Sequence, residues 1–534
     1  MRGSFYKRAY ILLFAVIMLF AGLTARIFSI QKTIGREAAD LQFSREITLA
    51  ETRGNIYDIN MKPLVNEEIK KQYIVMSDKS TEDIIKYSKL NEIKKGLFVR
   101  LEGDYDIAES KFIKSYNKIE RYTDKLLCPH IIGYTNSDGA GVAGIEKAFD
   151  KILSDASGRL SVSINADASD NVIRGDGITL RDHNYNSKAG IKLTIDKKIQ
   201  EIAENALNFS SIECGAVVVL DVKTAEIRAI SSIPCYKLNN IEEALSDKNL
   251  PFLNRALSAY PVGSVFKPIV AAAAMNNGFG FTESFRCEGK LQLGVNTFSC
   301  YNNNAHGDVD LNLATEKSCN TFFINAGLIA GYDTIHSMSE LFGFGKKIEL
   351  CSTLVSEAGN LPDNNEVTSE SDLANICFGQ GSLLATPLQL AAAYNTFANN
   401  GIYTEPYLLK ELIDDSGRAY AYYKSEDTHF AAEKSVTDSV NSCLHNNMLN
   451  GTGKNGKPDN VSSAGKTATA QTGRYNETGD EILCTWFCGF FPFENPQYTV
   501  VVFNENGKSA ADDCAPVFKE IAENITYITD QPSH

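Results

Sequence analysis

The sequence predicts an α+β protein: an antiparallel sheet covered by helices, preceded by a membrane helix and a small mixed α/β module. Three observations carry this. Two pairs of β-rich runs, "GAVVVLDV" with "EIRAISS" and "CTWFCGFF" with "QYTVVVFNENG", are joined by short turns and read as hairpins. Well-marked helices lie between those pairs instead of alternating singly with strands, which argues against a βαβ repeat. Residues 9–25, "AYILLFAVIMLFAGLTA", form an uncharged apolar run close to the lower length limit of a membrane helix.

From the N-terminus, Arg2, Lys7 and Arg8 precede the apolar run. By the positive-inside rule, residues 1–8 are a cytoplasmic tail and 9–25 a single-pass anchor in the cell membrane. The remaining chain is then extracytoplasmic. A cleaved signal peptide is the rival, with Gly22 and Thr24 as small cleavage-site residues. Arg26 and the helix-like "RIFSIQKTIGREAADLQF" directly behind the run favour the anchor. Residues 26–190 read as a mixed module of short strand-like pieces and Lys- and Asp-rich turns. From 191 to 534 the texture is that of a larger domain. In "GIKLTIDKKIQEIAENAL" a short strand leads to a helix capped by Asp196, with Ile199, Ile202, Ala203 and Leu207 on one face. In "TPLQLAAAYNTFANNG" Thr386 is the N-cap, Pro387 takes the first helical position, Gln389 completes a capping box and Gly401 ends the helix. A final helix contains "PVFKEIAENI".

A chain of 534 residues is too long for one hydrophobic core, so two or more domains are expected. The net charge of −14 argues against nucleic acid as a partner, because binding a phosphate backbone needs clustered Lys and Arg. The twelve cysteines are scattered and include no zinc-type CxxC pair, so no metal is assigned. Cys484 and Cys488 read as small buried hydrophobes on one face of a strand. Only Cys287 and Cys300, flanking the hairpin-like "EGKLQLGVNTFS", are spaced for a local disulfide.

Several motifs fail their context. "GAGVAG" (139–144) follows a polar turn instead of the strand that a dinucleotide fingerprint requires. "AGKTA" (464–468) lacks the first glycine of a phosphate loop, since residue 460 is asparagine. No cofactor is implied. The seven histidines contain no HExxH, and Ser264 lies outside any GxSxG.

Ser264 does lie one helical turn before Lys267, in "YPVGSVFKPIVAAAAM". A serine hydroxyl needs a base to become a nucleophile. A lysine serves if burial, nearby positive charge and the helix N-terminus lower its pKa. Alone, the pair also fits a capping serine beside a solvent-facing lysine. Two further elements follow in order: Ser318, Cys319 and Asn320 in "KSCNTFFINAG", and Lys466 with Thr467 in "AGKTATAQTG". S-x-x-K, S-x-N and K-T-x together form a serine acyl-transfer set.

With these motifs, and with "RGNIYDINMKPL", "HIIGYTNSDGAGVAGIEKAFD" and "FGQGSLLATPLQLAAAY", nearly the whole chain resembles the class B penicillin-binding proteins, closest to small clostridial- and sporulation-type members. Ile59 and Met61 stand where the family usually has Arg and Gly, and Ala468 replaces the glycine of K-T-G. The resemblance implies a pedestal module before a transpeptidase domain with a five-stranded antiparallel sheet flanked by helices. It implies a peptidoglycan D,D-transpeptidase inhibited by β-lactams and acting on D-Ala-D-Ala stem peptides. Ser264 would attack the substrate, Lys267 would take its proton and Ser318 would relay a proton to the leaving amine. Asn320 would hold the substrate amide, Lys466 and Thr467 the terminal carboxylate. The N–H groups of Ser264 and Thr469 would form the oxyanion hole. A membrane glycosyltransferase would be the partner that supplies glycan strands. A β-lactam sensor, a hydrolase and an idle scaffold are the alternatives. The added methyl of Ala468 is expected to crowd the site and weaken penicillin more than substrate.

Overall fold

The computed structural model describes residues 2–76, 81, 91–94, 98–103, 105–165, 177–238, 240–476 and 478–531. The first element, α1 (Arg2–Phe43), is one continuous helix. Its stretch Tyr6–Ile30 is apolar and long enough to cross a membrane. The helix runs well past the predicted apolar core of 9–25, as the residues behind Arg26 suggested.

The chain divides into two compact units. The first comprises Met1–Arg53, Asn66–Arg121 and Ser157–Ser187. It holds a three-stranded antiparallel sheet (Ser44–Thr52, Gly158–Asn165, Thr179–His183) and a four-stranded one ordered Asn91–Lys94, Phe98–Glu102, Glu68–Met76, Ile113–Glu120. Ile74, Met76, Phe98, Val162 and Ile164 share its core.

The second unit comprises Gly54–Val65, Tyr122–Ala156 and Lys188–His534. Two segments from within 26–190 thus fold with it. The reason is local: Asn55–Tyr57 pairs in parallel with Gly190–Leu193, and the buried Asp58 carboxylate accepts from the backbone N–H groups of Asn60, Lys62 and Lys197. Met61, in the family's glycine position, sits at φ 61°, a conformation glycine adopts without penalty.

The second unit is organised by five antiparallel strands. In chain order the elements that frame this sheet and the site are α2 (Lys197–Asn208), β1 (Gly215–Asp221), β2 (Ile227–Ile233), α3 (Lys267–Asn276), α4 (Asn320–Ala330), α5 (Pro387–Ala398), α6 (Lys434–Asn450), β3 (Ala464–Tyr475), β4 (Glu481–Phe491), β5 (Tyr498–Gly507) and α7 (Cys514–Asp530). The strand order is β2-β1-β5-β4-β3, and every pair is antiparallel. Both predicted hairpins form. The period-2 alternation sorts side chains to two cores. Val217, Val219, Phe487, Val500 and Val502 pack with α2 and α7. Ala216, Val218, Trp486, Val501 and Phe503 pack with α3, α4 and α5. Cys484 and Cys488 are fully buried on that second face, as small hydrophobes would be. The predicted caps are present: Asp196 accepts from Lys198 and Ile199, and Thr386 with Gln389 forms a complete capping box.

Candidate active site

The helix carrying Ser264 and Lys267 begins as a 3-10 turn, Gly263–Phe266, and continues as α3 from Lys267. Ser264 is half-buried on that turn, and Lys267 is fully buried. Several distant segments hold the turn. The Gly263 N–H donates to the Gly379 carbonyl (2.8 Å). The Tyr394 hydroxyl donates to the Val265 carbonyl (3.0 Å) and Trp486 Nε1 to that of Pro261 (2.9 Å). Gly379 must be glycine: at φ +76° a Cβ would stand 1.9 Å from the Gly263 carbonyl oxygen.

The second motif lies directly across. Ser318 sits at φ 52°, so the chain turns sharply there, and Asn320 begins α4. Lys267 Nζ donates to the Ser318 carbonyl (2.7 Å) and to Asn320 Oδ1 (2.7 Å), and lies 3.2 Å from Ser318 Oγ. The first two partners can only accept. A neutral amine would spend both its hydrogens on them and leave its lone pair for a hydroxyl proton. Burial pushes the Lys267 pKa down to about 7, against an opposing pull from the neighbouring thiols of Cys319 and Cys300. The predicted lowering is present; desolvation leads it.

The third motif opens β3. Lys466 is fully buried, with Nζ donating to Thr452 Oγ1 (3.2 Å) and to the Thr467 carbonyl (3.1 Å). Burial, and then the charge of Lys267, hold its pKa well below the usual lysine value. Thr467 is nearly buried and Thr469 exposed. Beyond Thr469 opens a cleft of about 580 Å³ lined by Pro261, Gln380, Ser382, Gln471, Tyr475 and Glu481, a volume suited to a peptide or drug-sized ligand.

Ala468 is 3% exposed. A Cβ placed on Gly263 would stand 3.4 Å from the Ala468 methyl, so that methyl faces the back of the turn carrying Ser264 and not the open cleft. Ala468→Gly is therefore expected to destabilise the domain by about 1–2 kcal/mol, from lost methyl burial and added backbone freedom. Acylation by penicillin should change little. A thermal melt beside a labelling time course checks both, and a large gain in labelling would restore the crowding idea.

One cluster escaped the sequence reading. Cys287, Cys300, His306 and Cys319 bring their ligand atoms within 4.8 Å of one another. Cys287 Sγ lies 3.7 Å from Cys300 Sγ and 3.4 Å from His306 Nδ1, and Cys300 Sγ lies 3.8 Å from Cys319 Sγ. Both Cys287 and Cys300 are free thiols; the local disulfide is not formed. A tetrahedral ion with bonds of about 2.3 Å to sulfur separates its sulfurs by about 3.8 Å. These residues therefore fit a zinc-type ion in a closed Cys3His site of the structural kind. Hydrogen bonding between them lowers the Cys300 thiol and raises that of Cys319. The pattern was invisible in sequence because successive ligands are thirteen, six and thirteen residues apart.

Residues 215–523, more than half of the chain, match the family described as "Penicillin binding protein transpeptidase domain". This chain belongs to that family. The class B resemblance drawn from its motifs stands with its relatives. Peptidoglycan D,D-transpeptidase MrdA of Haemophilus influenzae is 29% identical over 424 residues, covering 73% of this chain and 63% of that protein. MrdA of Acinetobacter baumannii is covered to 61%, so the match spans just under two-thirds of these relatives' length. Stage V sporulation protein D of Bacillus subtilis is 26% identical across 97% of this chain and 84% of its own length. Among solved structures, the D,D-transpeptidase domain of a peptidoglycan glycosyltransferase from Eggerthella lenta superposes with a TM-score of 0.65 at 24% identity, covering 90% of this chain and 99% of that one. The imipenem acyl-enzyme complex of penicillin-binding protein A from Mycobacterium tuberculosis gives 0.65 at 22%, covering 89% and 98%. The penicillin-binding transpeptidase domain thus supplies the fold that places Ser264, Lys267, Ser318, Asn320 and Lys466.

Proposed function

We propose that this chain is a membrane-anchored peptidoglycan D,D-transpeptidase working through a serine acyl-enzyme, with its catalytic unit outside the cytoplasmic membrane. The carrying observation is the buried amine of Lys267, one turn after Ser264 and bonded to both Ser318 and Asn320. The relatives named as peptidoglycan D,D-transpeptidases support the substrate class, D-Ala-D-Ala stem peptides. β-Lactams would occupy the same site, as in the acyl-enzyme complex of the Mycobacterium tuberculosis relative.

Two buried ammonium groups close to each other are unfavourable. The substrate carboxylate, bound by Lys466 and Thr467, makes Lys466 the cation and leaves Lys267 the neutral base. Ser264 Oγ attacks the penultimate D-alanine carbonyl while its proton passes to Lys267. The N–H groups of Ser264 and Thr469 stabilise the oxyanion. Collapse breaks the C–N bond, and Ser318 Oγ passes a proton to the departing D-alanine amine. Asn320 holds the substrate amide. An amine from a second strand attacks the ester, its surplus proton leaves by the same groups, and Ser264 is regenerated. The Cys3His set would hold a divalent ion whose chemistry here would be structural: Cys287 and Cys300, flanking the hairpin around Gly294, would be tied through it to Cys319 in the segment carrying Ser318 and Asn320. A membrane glycosyltransferase would supply the strands to be joined.

The full chain in detergent, given a D-Ala-D-Ala stem-peptide thioester and a D-amino acid, is expected to release the exchanged peptide catalytically. A stable acyl-enzyme without release would assign a sensor instead, hydrolysis without transfer a carboxypeptidase, and no reaction with thioester or penicillin an idle scaffold.

A further inference from the structure

We propose that Thr452, held by Asn447, is the positioning residue for Lys466. The proposal rests on the transpeptidase reading and deepens it by naming what aims the carboxylate-binding lysine. The turn "NGTG" (450–453) follows α6 and crosses the space between the second and third motifs. Thr452 makes three bonds there, each to a different element. Its N–H donates to the Glu316 carbonyl (3.2 Å), two residues before Ser318. Its hydroxyl donates to Asn447 Oδ1 (3.2 Å) and accepts from Lys466 Nζ (3.2 Å).

The order of those bonds is set by chemistry. Asn447 is fully buried, and its Nδ2 donates to the Gly465 carbonyl (2.8 Å), next to Lys466. With Nδ2 committed, Asn447 turns its oxygen to Thr452, and that oxygen can only accept. The Thr452 proton is therefore spent on Asn447, and its lone pairs are left facing Lys466 Nζ, which becomes an ammonium when the substrate carboxylate binds. A bond to a charged donor is among the stronger ones. The backbone is shaped around this arrangement. A Cβ on Gly451 would stand 2.3 Å from Asn447 Oδ1 and 2.7 Å from the Glu316 Cα. A Cβ on Gly453 would stand 2.7 Å from Asn447 Nδ2. Two glycines let the turn close on the asparagine, and that closure fixes Lys466 relative to Ser318.

Thr452 is itself exposed, so changing it removes one hydroxyl without opening the core. Thr452→Val keeps the shape and loses the acceptor; Thr452→Ser keeps the acceptor. The test compares acylation of the full chain by a D-Ala-D-Ala thioester bearing the terminal carboxylate with acylation by its methyl ester. Thr452→Val is expected to lose about tenfold in kcat/KM on the carboxylate substrate, mainly through KM. The methyl ester should react as with wild type and Thr452→Ser should restore the loss; Thr452→Val should melt a little lower, because the buried Asn447 Oδ1 loses its donor, and that shift acts on both substrates alike. Equal losses on both substrates, or no loss on either, would overturn the proposal. If wild type reacts with neither compound, the transpeptidase reading itself has failed. Crystal structures of the two variants then decide the positioning alone: Lys466 Nζ displaced in Thr452→Val and retained in Thr452→Ser supports it, and an unmoved Nζ in Thr452→Val overturns it.

Discussion

Replacing Lys267 with alanine is expected to slow acylation by penicillin or stem-peptide thioester about 10²–10⁴-fold, the span that a positioned general base contributes. Ser264→Ala should abolish covalent labelling outright, because no bond can form without the hydroxyl oxygen. Lys267 is fully buried, and burial brings its pKa to about 7. Only the neutral amine can take the Ser264 proton. The wild-type acylation rate should therefore rise with pH through about 7 and then level. A base with an ordinary lysine pKa would still be climbing well above pH 9. Stability carries the same shift with a definite sign. Above about pH 7 the folded chain has released this proton while the unfolded chain still binds it. Through this group, stability rises with pH from about 7 towards the usual lysine range. Stopped-flow acylation against pH for wild type, with labelling of both variants, checks the set. A flat profile, or labelling of Ser264→Ala, would remove these residues from their roles.

Stripping metal from the full chain is expected to lower its melting temperature by on the order of 10 °C and to slow acylation in parallel. The chain as purified from metal-replete medium should carry one zinc-type ion. Structural zinc contributes about 10–16 kcal/mol in small zinc domains. Here the surrounding fold already gathers the ligands, so a fraction of that is expected, and a few kcal/mol moves a domain of this size by that amount. The coupling to catalysis is geometric. Cys319 lies between Ser318 and Asn320, the two residues that hold Lys267. Asn320 Nδ2 also donates to the Ser299 carbonyl (2.8 Å), next to Cys300. Loosening the tetrad therefore loosens the base. Binding needs deprotonated thiols, so the ion should be lost as pH falls. Elemental analysis, a melt with and without a strong chelator, and the same measurements on Cys300→Ser and His306→Ala decide it. Metal-free protein with an unchanged melt under the chelator would leave the four residues as a thiol cluster only. A Cys287–Cys300 disulfide would show as two missing thiols in a thiol count.

Features that depend on neighbours along the chain were legible before folding was considered. The caps at Asp196 and Thr386, the two hairpins of the main sheet and the helical continuation behind Arg26 follow from turn residues, side-chain period and backbone sterics acting over a few residues. The three acyl-transfer motifs were legible for a related reason: each is a short string whose spacing sets its own local geometry. Tertiary structure decided everything that sums over distant neighbours. The burial that lowers Lys267 comes from segments brought to it by folding. The Ala468 methyl points behind the turn carrying Ser264 because of where β3 meets Gly263. The Cys3His set needs residues 287, 300, 306 and 319 to converge, and the Thr452 bond to Lys466 needs α6 and β3 to meet. Hydrophobic period and cap chemistry fix an element and its faces, but the electric environment of a side chain is set by whatever else packs around it.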